Sequence, residues 1–234
     1  MSALVLDGVQ TRIGRYSVLH DVSFTVPEGG VFVLLGRNGA GKTTTLRSIM
    51  GLWQPEAGSV KFGATELRGM HTSAIARLGI AFVPEDMGIF RGLTVAENMV
   101  LATESGRFDQ KRLDWIYDLF PALKKFWHSA AGGLSGGQKQ MLAVARAIIE
   151  PRKLILIDEP TKGLAPAIVD AMAEAFREIS ERTTILLVEQ NFEFARSLGR
   201  DMAVIEDGRI VHRGSMDAFA EDRELQTRLL SLSV

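Results

Sequence analysis

The sequence feature that most constrains the fold is an apolar run that leads directly into a glycine-rich loop. Residues 31–35 read Val-Phe-Val-Leu-Leu, a continuous apolar stretch typical of a parallel strand that is covered on both faces. Residues 36–43 follow as Gly-Arg-Asn-Gly-Ala-Gly-Lys-Thr, and a helix is predicted over residues 42–50. A strand, a tight glycine loop and a helix in this order predict an α/β domain.

The glycine loop is suited to binding phosphate. Glycines let the backbone wrap so that successive N–H groups point inward, and the helix N-terminus adds a partial positive charge. Lys42 would then reach the β- and γ-phosphates of a nucleotide, and the hydroxyl of Thr43 would bind Mg²⁺. The predicted nucleotide-binding residues of this loop are Gly36, Asn38, Gly39, Ala40, Gly41, Lys42, Thr43 and Thr44.

A second apolar strand, predicted over residues 154–157, is followed by two carboxylates, Asp158 and Glu159. Ligands of open α/β sheets bind at the carboxyl ends of the strands, so both side chains are expected beside the glycine loop. Asp158 would hold Mg²⁺ through water, and Glu159 would polarise the attacking water as a general base. The alternative is that the acidic pair merely begins a helix, and the glycine loop makes this interpretation much weaker.

A third motif, Leu134-Ser135-Gly136-Gly137-Gln138, begins a strongly helical run. It creates a second helix N-terminus with exposed amides and a hydroxyl, which is suited to an anion. The alternative is an ordinary serine-capped helix, but two glycines are a poor choice for the first turn of such a helix.

In this order and spacing, the three motifs resemble those of the ATP-binding cassette (ABC) ATPases, from about residue 4 to residue 214. The resemblance implies a P-loop α/β core with an antiparallel β subdomain, in a single domain over residues 1–234. A helical subdomain would be inserted at about residues 94–150. The implied cofactors are ATP and Mg²⁺. Ser135, Gly136, Gly137 and Gln138 would contact the γ-phosphate of ATP bound to the opposite subunit. The partner in this head-to-tail dimer would be a second copy or a related ABC ATPase.

Four positions depart from the pattern of the broad family. Glu85 stands where glutamine is usual; a carboxylate can still accept from water or Mg²⁺, but it adds negative charge near phosphate. Gln190 stands where histidine usually meets the γ-phosphate; it can donate a hydrogen bond but carries no proton at neutral pH. Ala165 replaces the usual aspartate of the loop that follows Glu159. Ile13 replaces the adenine-stacking aromatic and lacks its stacking energy.

Glu85, Ala165 and Gln190 together resemble the ATPase subunits of bacterial branched-chain amino acid importers, with urea and short-chain amide importers as close neighbours. This resemblance implies an ATPase at the cytoplasmic face of the inner membrane. It would power separate transmembrane permeases and depend indirectly on a solute-binding protein. Residues 87–93, with Phe90, are the candidate docking surface for the permease. Lys42, Glu159 and Gln190 are the implied catalytic residues, and Thr43, Glu85 and Asp158 the implied metal-binding residues.

Three alternatives compete with this importer hypothesis. An ABC exporter subunit is disfavoured because the usual histidine is missing at Gln190. A non-transport ABC ATPase usually carries two cassettes or a long coiled coil, and this chain has neither. A small-molecule kinase would leave the motif at Ser135 without a role.

The amino-acid composition excludes further classes of function. The net charge of the 234 residues is −1, which gives no reason to expect a nucleic-acid partner. The absence of cysteine excludes disulfides, a thiol nucleophile and cysteine-ligated metals. No apolar run approaches the 18 or so residues of a membrane span, so any membrane role would come through a partner.

The remaining pattern alternates between strands and helices. A capping box at Thr94 is expected to open the helical stretch of residues 94–149, and a hairpin is expected around Asp207 and Gly208. The other predicted elements are strands over residues 4–9, 18–26, 80–83 and 184–188, a loop over 51–58, and helices over 166–179, 191–198 and 216–230.

Overall fold

The computed structural model describes residues 2–230, in which strands and helices alternate along most of the chain. The strands are β1 (Ser2–Ile13), β2 (Tyr16–Pro27), β3 (Val31–Leu35), β4 (Ala57–Phe62), β5 (Thr65–Glu66), β6 (Ile80–Val83), β7 (Leu154–Asp158), β8 (Thr184–Glu189), β9 (Asp201–Glu206) and β10 (Arg209–Ser215).

The helices complete the list of elements. They are α1 (Lys42–Ile49), α2 (Thr72–Arg77), α3 (Val95–Val100), α4 (Gln110–Leu119), α5 (Pro121–Lys125), α6 (Gly136–Ile148), α7 (Pro166–Ser180), α8 (Phe192–Arg196), α9 (Met216–Glu221) and α10 (Arg223–Leu230). Across the described residues, no helix combines the length and the apolar character that a membrane span needs.

The strands form two sheets. The first is antiparallel, with the order β2-β1-β4-β5, and corresponds to the predicted β subdomain. The second has the order β10-β9-β3-β8-β7-β6 and is parallel except where β10 pairs with β9. Because β3, β8, β7 and β6 run in the same direction, the loops that follow them open at one edge of the sheet. This arrangement confirms the predicted fold class.

The central strands are buried on both faces, as the apolar runs predicted. Successive side chains of a strand point to opposite faces, so each strand contributes to two cores. Val33 packs in one core with α6 and α7, and Leu34 packs in the other core with the antiparallel sheet. In the second core, the rings of Phe24 and Phe32 stack with centroids 5.5 Å apart, which fixes β2 against β3.

The chain between β6 and β7 is helical, in agreement with the predicted pattern. It contains α3 to α6, a 3-10 turn (Ala131–Gly133) and one isolated bridge between Thr94 and Ala130. The predicted capping box is present at the start of α3: Thr94 Oγ1 accepts from the N–H of Glu97, and the Glu97 carboxylate accepts from the N–H of Thr94. The subdomain boundaries at residues 94 and 150 stay predictions.

Two local predictions are wrong. The loop predicted over residues 51–58 ends two residues early, because β4 begins at Ala57 and pairs antiparallel with β1, for example Val60 with Leu6. Residues 216–230 were expected to form one helix, but the chain breaks at Asp222 (φ −93°, ψ 84°) between α9 and α10. The Asp222 carboxylate accepts from the N–H of Leu225 at 2.9 Å, so this side chain caps a new helix instead of continuing the first.

The turn between β9 and β10 ties three parts of the fold together at Gly208. Its N–H donates to the carbonyl of Ala40 in the glycine loop at 2.8 Å, and its carbonyl accepts from the N–H of His20 on β2 at 2.7 Å. Gly208 has φ +69°, and a Cβ placed there would lie 2.0 Å from the carbonyl oxygen of Val18.

We therefore expect Gly208→Ala to lower the free energy of unfolding by about 2–4 kcal/mol, because the methyl group meets backbone rather than a flexible side chain. Gly63→Ala is the matched control: Gly63 also has positive φ (+56°), but nothing lies within 4 Å of its Cβ position. The control should lose only about 1 kcal/mol. Urea unfolding measures both, and equal losses would show that the contact with Val18 is unimportant.

Candidate active site

A pocket of about 560 Å³ lies at the edge of the sheet where the parallel strands end. It brings together residues from five parts of the chain: the end of β1, the start of β2, the glycine loop with the start of α1, the segment after β6, and the segment after β7. The lining residues are Ile13, Val18, Asn38, Gly39, Gly41, Lys42, Thr43, Thr44, Glu85, Glu159 and Lys162. Most of the predicted ATP- and metal-binding residues therefore line one pocket.

The glycine loop ends at α1 without a side-chain cap. The N-cap residue of α1 is Gly41, with φ +109°, and it offers no side chain to the free N–H groups of the first turn. These N–H groups and the helix dipole are left to interact with an anion. Gly36 and Ala40 belong to this loop but do not line the pocket.

Lys42 is held inside the loop that it follows. Its Nζ donates to the carbonyl oxygens of Gly36 and Arg37 at 2.8 and 2.9 Å, and it lies 2.9 Å from Oε1 of Glu159. The Lys42 side chain is only 4% exposed, so Glu159 supplies the counter-charge for a buried cation. Phosphate oxygens would supply the same counter-charge when a nucleotide is bound, and Glu159 would then be released.

Glu159 has an unusual backbone for a residue with a side chain. Its φ is +44°, in the left-handed region, and its N–H donates to the carbonyl of Val188 on β8 at 2.9 Å. A non-glycine residue in this region is held there by its surroundings against a cost of about 1–2 kcal/mol. In this backbone conformation the Glu159 carboxylate lines the pocket and contacts Lys42.

Asp158 and Thr43 form a site that fits Mg²⁺. Thr43 Oγ1 donates to Asp158 Oδ1 at 3.1 Å, and Asp158 Oδ2 is buried with no hydrogen-bond partner. An unpaired carboxylate oxygen beside a hydroxyl matches the oxygen ligands that Mg²⁺ takes in phosphate-binding sites. In the described residues no group of three or more His, Cys, Asp or Glu is arranged to hold a metal ion by itself, but Mg²⁺ beside phosphates needs only one or two carboxylates.

The electrostatic environment of Asp158 is unfavourable to its charged form. Burial raises the pKa of Asp158 to about 6, and the negative charges of Glu159 and Glu85 act in the same direction. The hydrogen bond from Thr43 and the charge of Lys42 oppose this rise in pKa. A divalent cation would remove the penalty, because it stabilises the ionised carboxylate.

Glu85 lies in the pocket, but its partner there was not predicted. Its Oε1 lies 2.5 Å from Nζ of Lys162, and the same Nζ lies 3.9 Å from Oε2 of Glu159. Sequence reasoning missed Lys162, because a lysine in a turn carries no signal that separates it from an ordinary surface residue. The metal-binding role of Glu85 stays a prediction.

The segment after β8 is organised by Glu189, a second residue that sequence reasoning missed. Its buried carboxylate accepts from the N–H and hydroxyl of Thr161 and from the N–H groups of Gln190 and Asn191. Burial raises the pKa of Glu189, and these four hydrogen bonds counteract that rise. Glu189 thus ties the turn that carries Lys162 to the segment that carries Gln190. Gln190 itself is exposed and does not line the pocket.

The motif at the start of α6 lies outside the pocket of this chain. Ser135 and Gln138 form a capping box, in which Ser135 Oγ accepts from the N–H of Gln138 and Gln138 Oε1 accepts from the N–H of Ser135. Ser135 and Gly136 are exposed, and a Cβ on Gly136 would meet nothing within 4 Å. Gly137 is different, because a Cβ there would lie 2.8 Å from Ile168 of α7. Packing therefore accounts for a glycine at position 137, but it places no such requirement on position 136.

A parallel sheet whose central strand enters a phosphate-type glycine loop, with Asp158 beside Thr43, defines a P-loop nucleotide-binding protein. The sequence matches the family model described as ABC transporter over residues 19–162. The chain therefore belongs to the ABC transporter family, as an ATP-binding subunit that hydrolyses ATP.

Individual relatives agree with this assignment. The high-affinity branched-chain amino acid transport ATP-binding protein BraG of Pseudomonas aeruginosa is 42% identical over 212 residues, which are 89% of this chain and 91% of BraG. The Nod factor export ATP-binding protein I of Rhizobium sp. (strain N33) is 34% identical, over 94% of this chain and 73% of that protein. A solved ATP-binding subunit of an ABC transporter superimposes with a TM-score of 0.84 at 27% identity, over 98% of this chain and 97% of that one. The predicted family and fold class are confirmed.

The raised pKa of Asp158 gives a pH-dependent prediction for the metal-free protein. An acid whose pKa is raised in the folded state binds its proton more tightly there than in the unfolded chain. Between about pH 4 and about pH 6 the unfolded state loses this proton first, so the free energy of unfolding falls across that window by up to about 3 kcal/mol.

Asp158→Asn should remove that fall and make the metal-free protein more stable at neutral pH, while it abolishes the added stability from Mg²⁺ and ATP. Urea unfolding across this pH range, with and without Mg²⁺ and ATP, is the measurement. Asp170→Asn on the exposed side of α7 is the control and should keep the wild-type profile. A destabilised Asp158→Asn protein at neutral pH would contradict the assignment of Asp158 as an unsatisfied buried carboxylate.

Proposed function

We propose that this chain is the ATP-hydrolysing subunit of a bacterial importer for branched-chain amino acids. It would act at the cytoplasmic face of the inner membrane on separate permease subunits, with the solute delivered by a binding protein. The similarity to BraG, which extends over 89% of the chain, carries the proposal. The residues Glu85, Ala165 and Gln190 support the same branch. Importers of urea or short-chain amides are the neighbouring alternatives.

The hydrolytic step follows from the charges that surround Glu159. Glu159 and Lys42 neutralise each other at 2.9 Å. When the phosphates of ATP occupy the glycine loop, Lys42 turns to their oxygens and the Glu159 carboxylate becomes available as a base. It takes a proton from water as the water oxygen bonds to the γ-phosphorus and the bond to the ADP oxygen breaks. ATP binding would therefore both fill the site and release its base.

Other residues hold the reactants in place. Thr43 and Asp158 would hold Mg²⁺, which when bound neutralises charge on the β- and γ-phosphate oxygens. Ile13 and Val18 form an apolar wall of the pocket on which the adenine would pack. Gln190 would donate a hydrogen bond to the γ-phosphate. It is exposed in the single chain, so it would meet the phosphate as the site closes.

The exposed motif at Ser135 supports a dimer with two shared sites. Ser135, Gly136 and Gln138 stand at a helix N-terminus outside this chain's own pocket, and the open space at Gly136 leaves room for a ligand to approach the backbone. In a head-to-tail dimer these residues would contact the γ-phosphate held by the partner's glycine loop. The partner would be a second copy of this chain or a related ABC ATPase.

An exposed apolar face supports docking to a permease. Leu52, Phe90 and Leu101 are large apolar side chains that are 49%, 49% and 58% exposed. Leu52 lines a cleft with Met87 and Ala102, beside the segment of residues 87–93. Such an apolar face, close to Glu85 and the pocket, is a suitable seat for a helix from a membrane subunit.

Arg146 connects this face to the motif at Ser135. Its Nη1 donates to the carbonyl of Gly88 at 2.6 Å, and its guanidinium lies 5.2 Å from the centre of the Phe90 ring. Arg146 belongs to α6, the helix that begins after Ser135. A displacement of Phe90 by the permease would therefore be passed to the helix whose N-terminus contacts ATP in the dimer.

The function is tested by Glu159→Gln in cells that carry this variant in place of the wild-type chain. We expect hydrolysis to fall by at least about 100-fold, because the amide cannot accept the proton, and ATP to trap a stable dimer. Uptake of labelled leucine should be lost with it. Glu174→Gln on the exposed side of α7 is the control and should keep both activities.

The same experiment separates the competing functions. Unchanged hydrolysis in Glu159→Gln would exclude Glu159 as the base. Lost hydrolysis with unchanged uptake of leucine, urea and amides would exclude the importer. It would direct attention to export, which the similarity to the Nod factor export protein makes the second candidate.

The docking face is tested by Phe90→Asp. A charge at this position should weaken assembly with the permease by at least about tenfold, because an aromatic anchor is replaced by a solvated carboxylate. The isolated chain should still hydrolyse ATP at the wild-type rate, since Phe90 does not line the pocket. Val211→Asp, at a comparably exposed apolar residue on β10, is the control. Copurification from membranes measures assembly, and an intact complex with Phe90→Asp would rule out this face.

A further inference from the structure

Lys162 holds two acidic residues of the pocket from the turn after β7. Its Nζ lies 2.5 Å from Oε1 of Glu85 and 3.9 Å from Oε2 of Glu159. Glu85 and Lys162 are 77 positions apart in the chain, so this contact joins the segment after β6 to the segment after β7. All three side chains line the same pocket as Lys42 and Thr43.

Each of the two carboxylates that line the pocket forms an ion pair with a different lysine. Lys42 neutralises Glu159 at 2.9 Å, and Lys162 neutralises Glu85. When Lys42 is engaged by phosphate, Lys162 is the one remaining lysine in the pocket lining for both Glu85 and Glu159. Without it, two carboxylates would face the negative charge of a polyphosphate, and like charges repel more strongly wherever water is partly excluded.

We propose that Lys162 is a positioning residue of the ATPase site, which supplies the counter-charge that allows the carboxylate of Glu85 to stand beside the phosphates of ATP. A glutamine at position 85, as the resemblance to the broad ABC family leads one to expect, would be neutral and need no such partner. Lys162 and Glu85 are then one functional unit, and a change in either residue is expected to alter the effect of the other.

The ion pair between Lys162 and Glu85 is not explained by a contribution to the stability of the fold. The side chains of Lys162 and Glu85 are 57% and 42% exposed, and ion pairs between such solvated groups contribute little to stability. The pair also lies at the pocket rather than in either core. Loss of Lys162 should therefore weaken nucleotide binding and leave unfolding unchanged, which distinguishes a positioning role from a structural one.

The test compares the Kd of ATP with Mg²⁺ for the wild type and for Lys162→Gln, Glu85→Gln and the double variant of the purified chain. Lys162→Gln should raise the Kd about tenfold at low ionic strength, and salt should reduce the difference because it screens the charges. In the Glu85→Gln background the same change should raise the Kd less than about threefold. Lys162→Arg should bind ATP as the wild type does. Urea unfolding should give the same free energy for Lys162→Gln as for the wild type.

Two results would overturn the inference. A wild-type Kd for Lys162→Gln would show that no counter-charge is needed. If Lys162→Gln raised the Kd of ATP as much in the Glu85→Gln background as in the wild type, Lys162 would act on the phosphates directly. The inference rests on the proposed placement of ATP in this pocket, which Lys42→Ala tests separately. If that variant still bound ATP normally, the pocket assignment itself would fail.

Discussion

The parallel pairing of β3, β8 and β7 is the constraint on which the rest of the structure depends. β8 lies between the other two strands, with Leu35 opposite Glu189 and Asp158 opposite Val188. All positions of these strands are buried, so a slip of one residue would exchange the side chains of two filled cores. The register is therefore fixed, and with it the distance between the glycine loop, the acidic pair and the segment of Gln190.

The site built on this edge is arranged for binding rather than for stability. It buries the charge of Lys42, holds Glu159 at a strained φ of +44° and leaves Asp158 Oδ2 without a partner. Each of these features is unfavourable for the folded chain alone, and buried ion pairs rarely compensate for their desolvation. A nucleotide with a divalent cation would supply the missing partners. Binding of that nucleotide would therefore be favoured by the partners it supplies to these three groups.

Long-range contacts connect the site to two surfaces. Glu189 and the Lys162–Glu85 pair link the segments after β6, β7 and β8 around the pocket. Arg146 links the segment near Phe90 to α6, which carries Ser135 at its start. Binding at one place can thus reach another through hydrogen-bonded side chains and a rigid helix. Such a connection is the physical requirement for the proposed coupling of ATP hydrolysis to a separate membrane protein.

The sequence by itself determined the elements whose signals are local. The apolar runs of β3 and β7, the glycine loop and the capping box at Thr94 are all read within a few residues, and they were predicted correctly. Together with the motif at Ser135, these signals were enough to predict the family and most of the residues that line the pocket. β4 was missed because its weakly apolar strand is stabilised by pairing with β1, and the break at Asp222 was hidden inside a continuous amphipathic pattern.

Only the tertiary structure decided which charges meet. The partners Lys162 and Glu85 are 77 positions apart, and Glu189 and Thr161 are 28 apart, so no local pattern reveals either contact. The same holds for the pairing of Lys42 with Glu159, which were assigned separate roles and proved to neutralise each other. Side-chain type and spacing determine what a segment can do. Which charged side chains form pairs depends on the strand order, and the strand order is established only when the two cores pack.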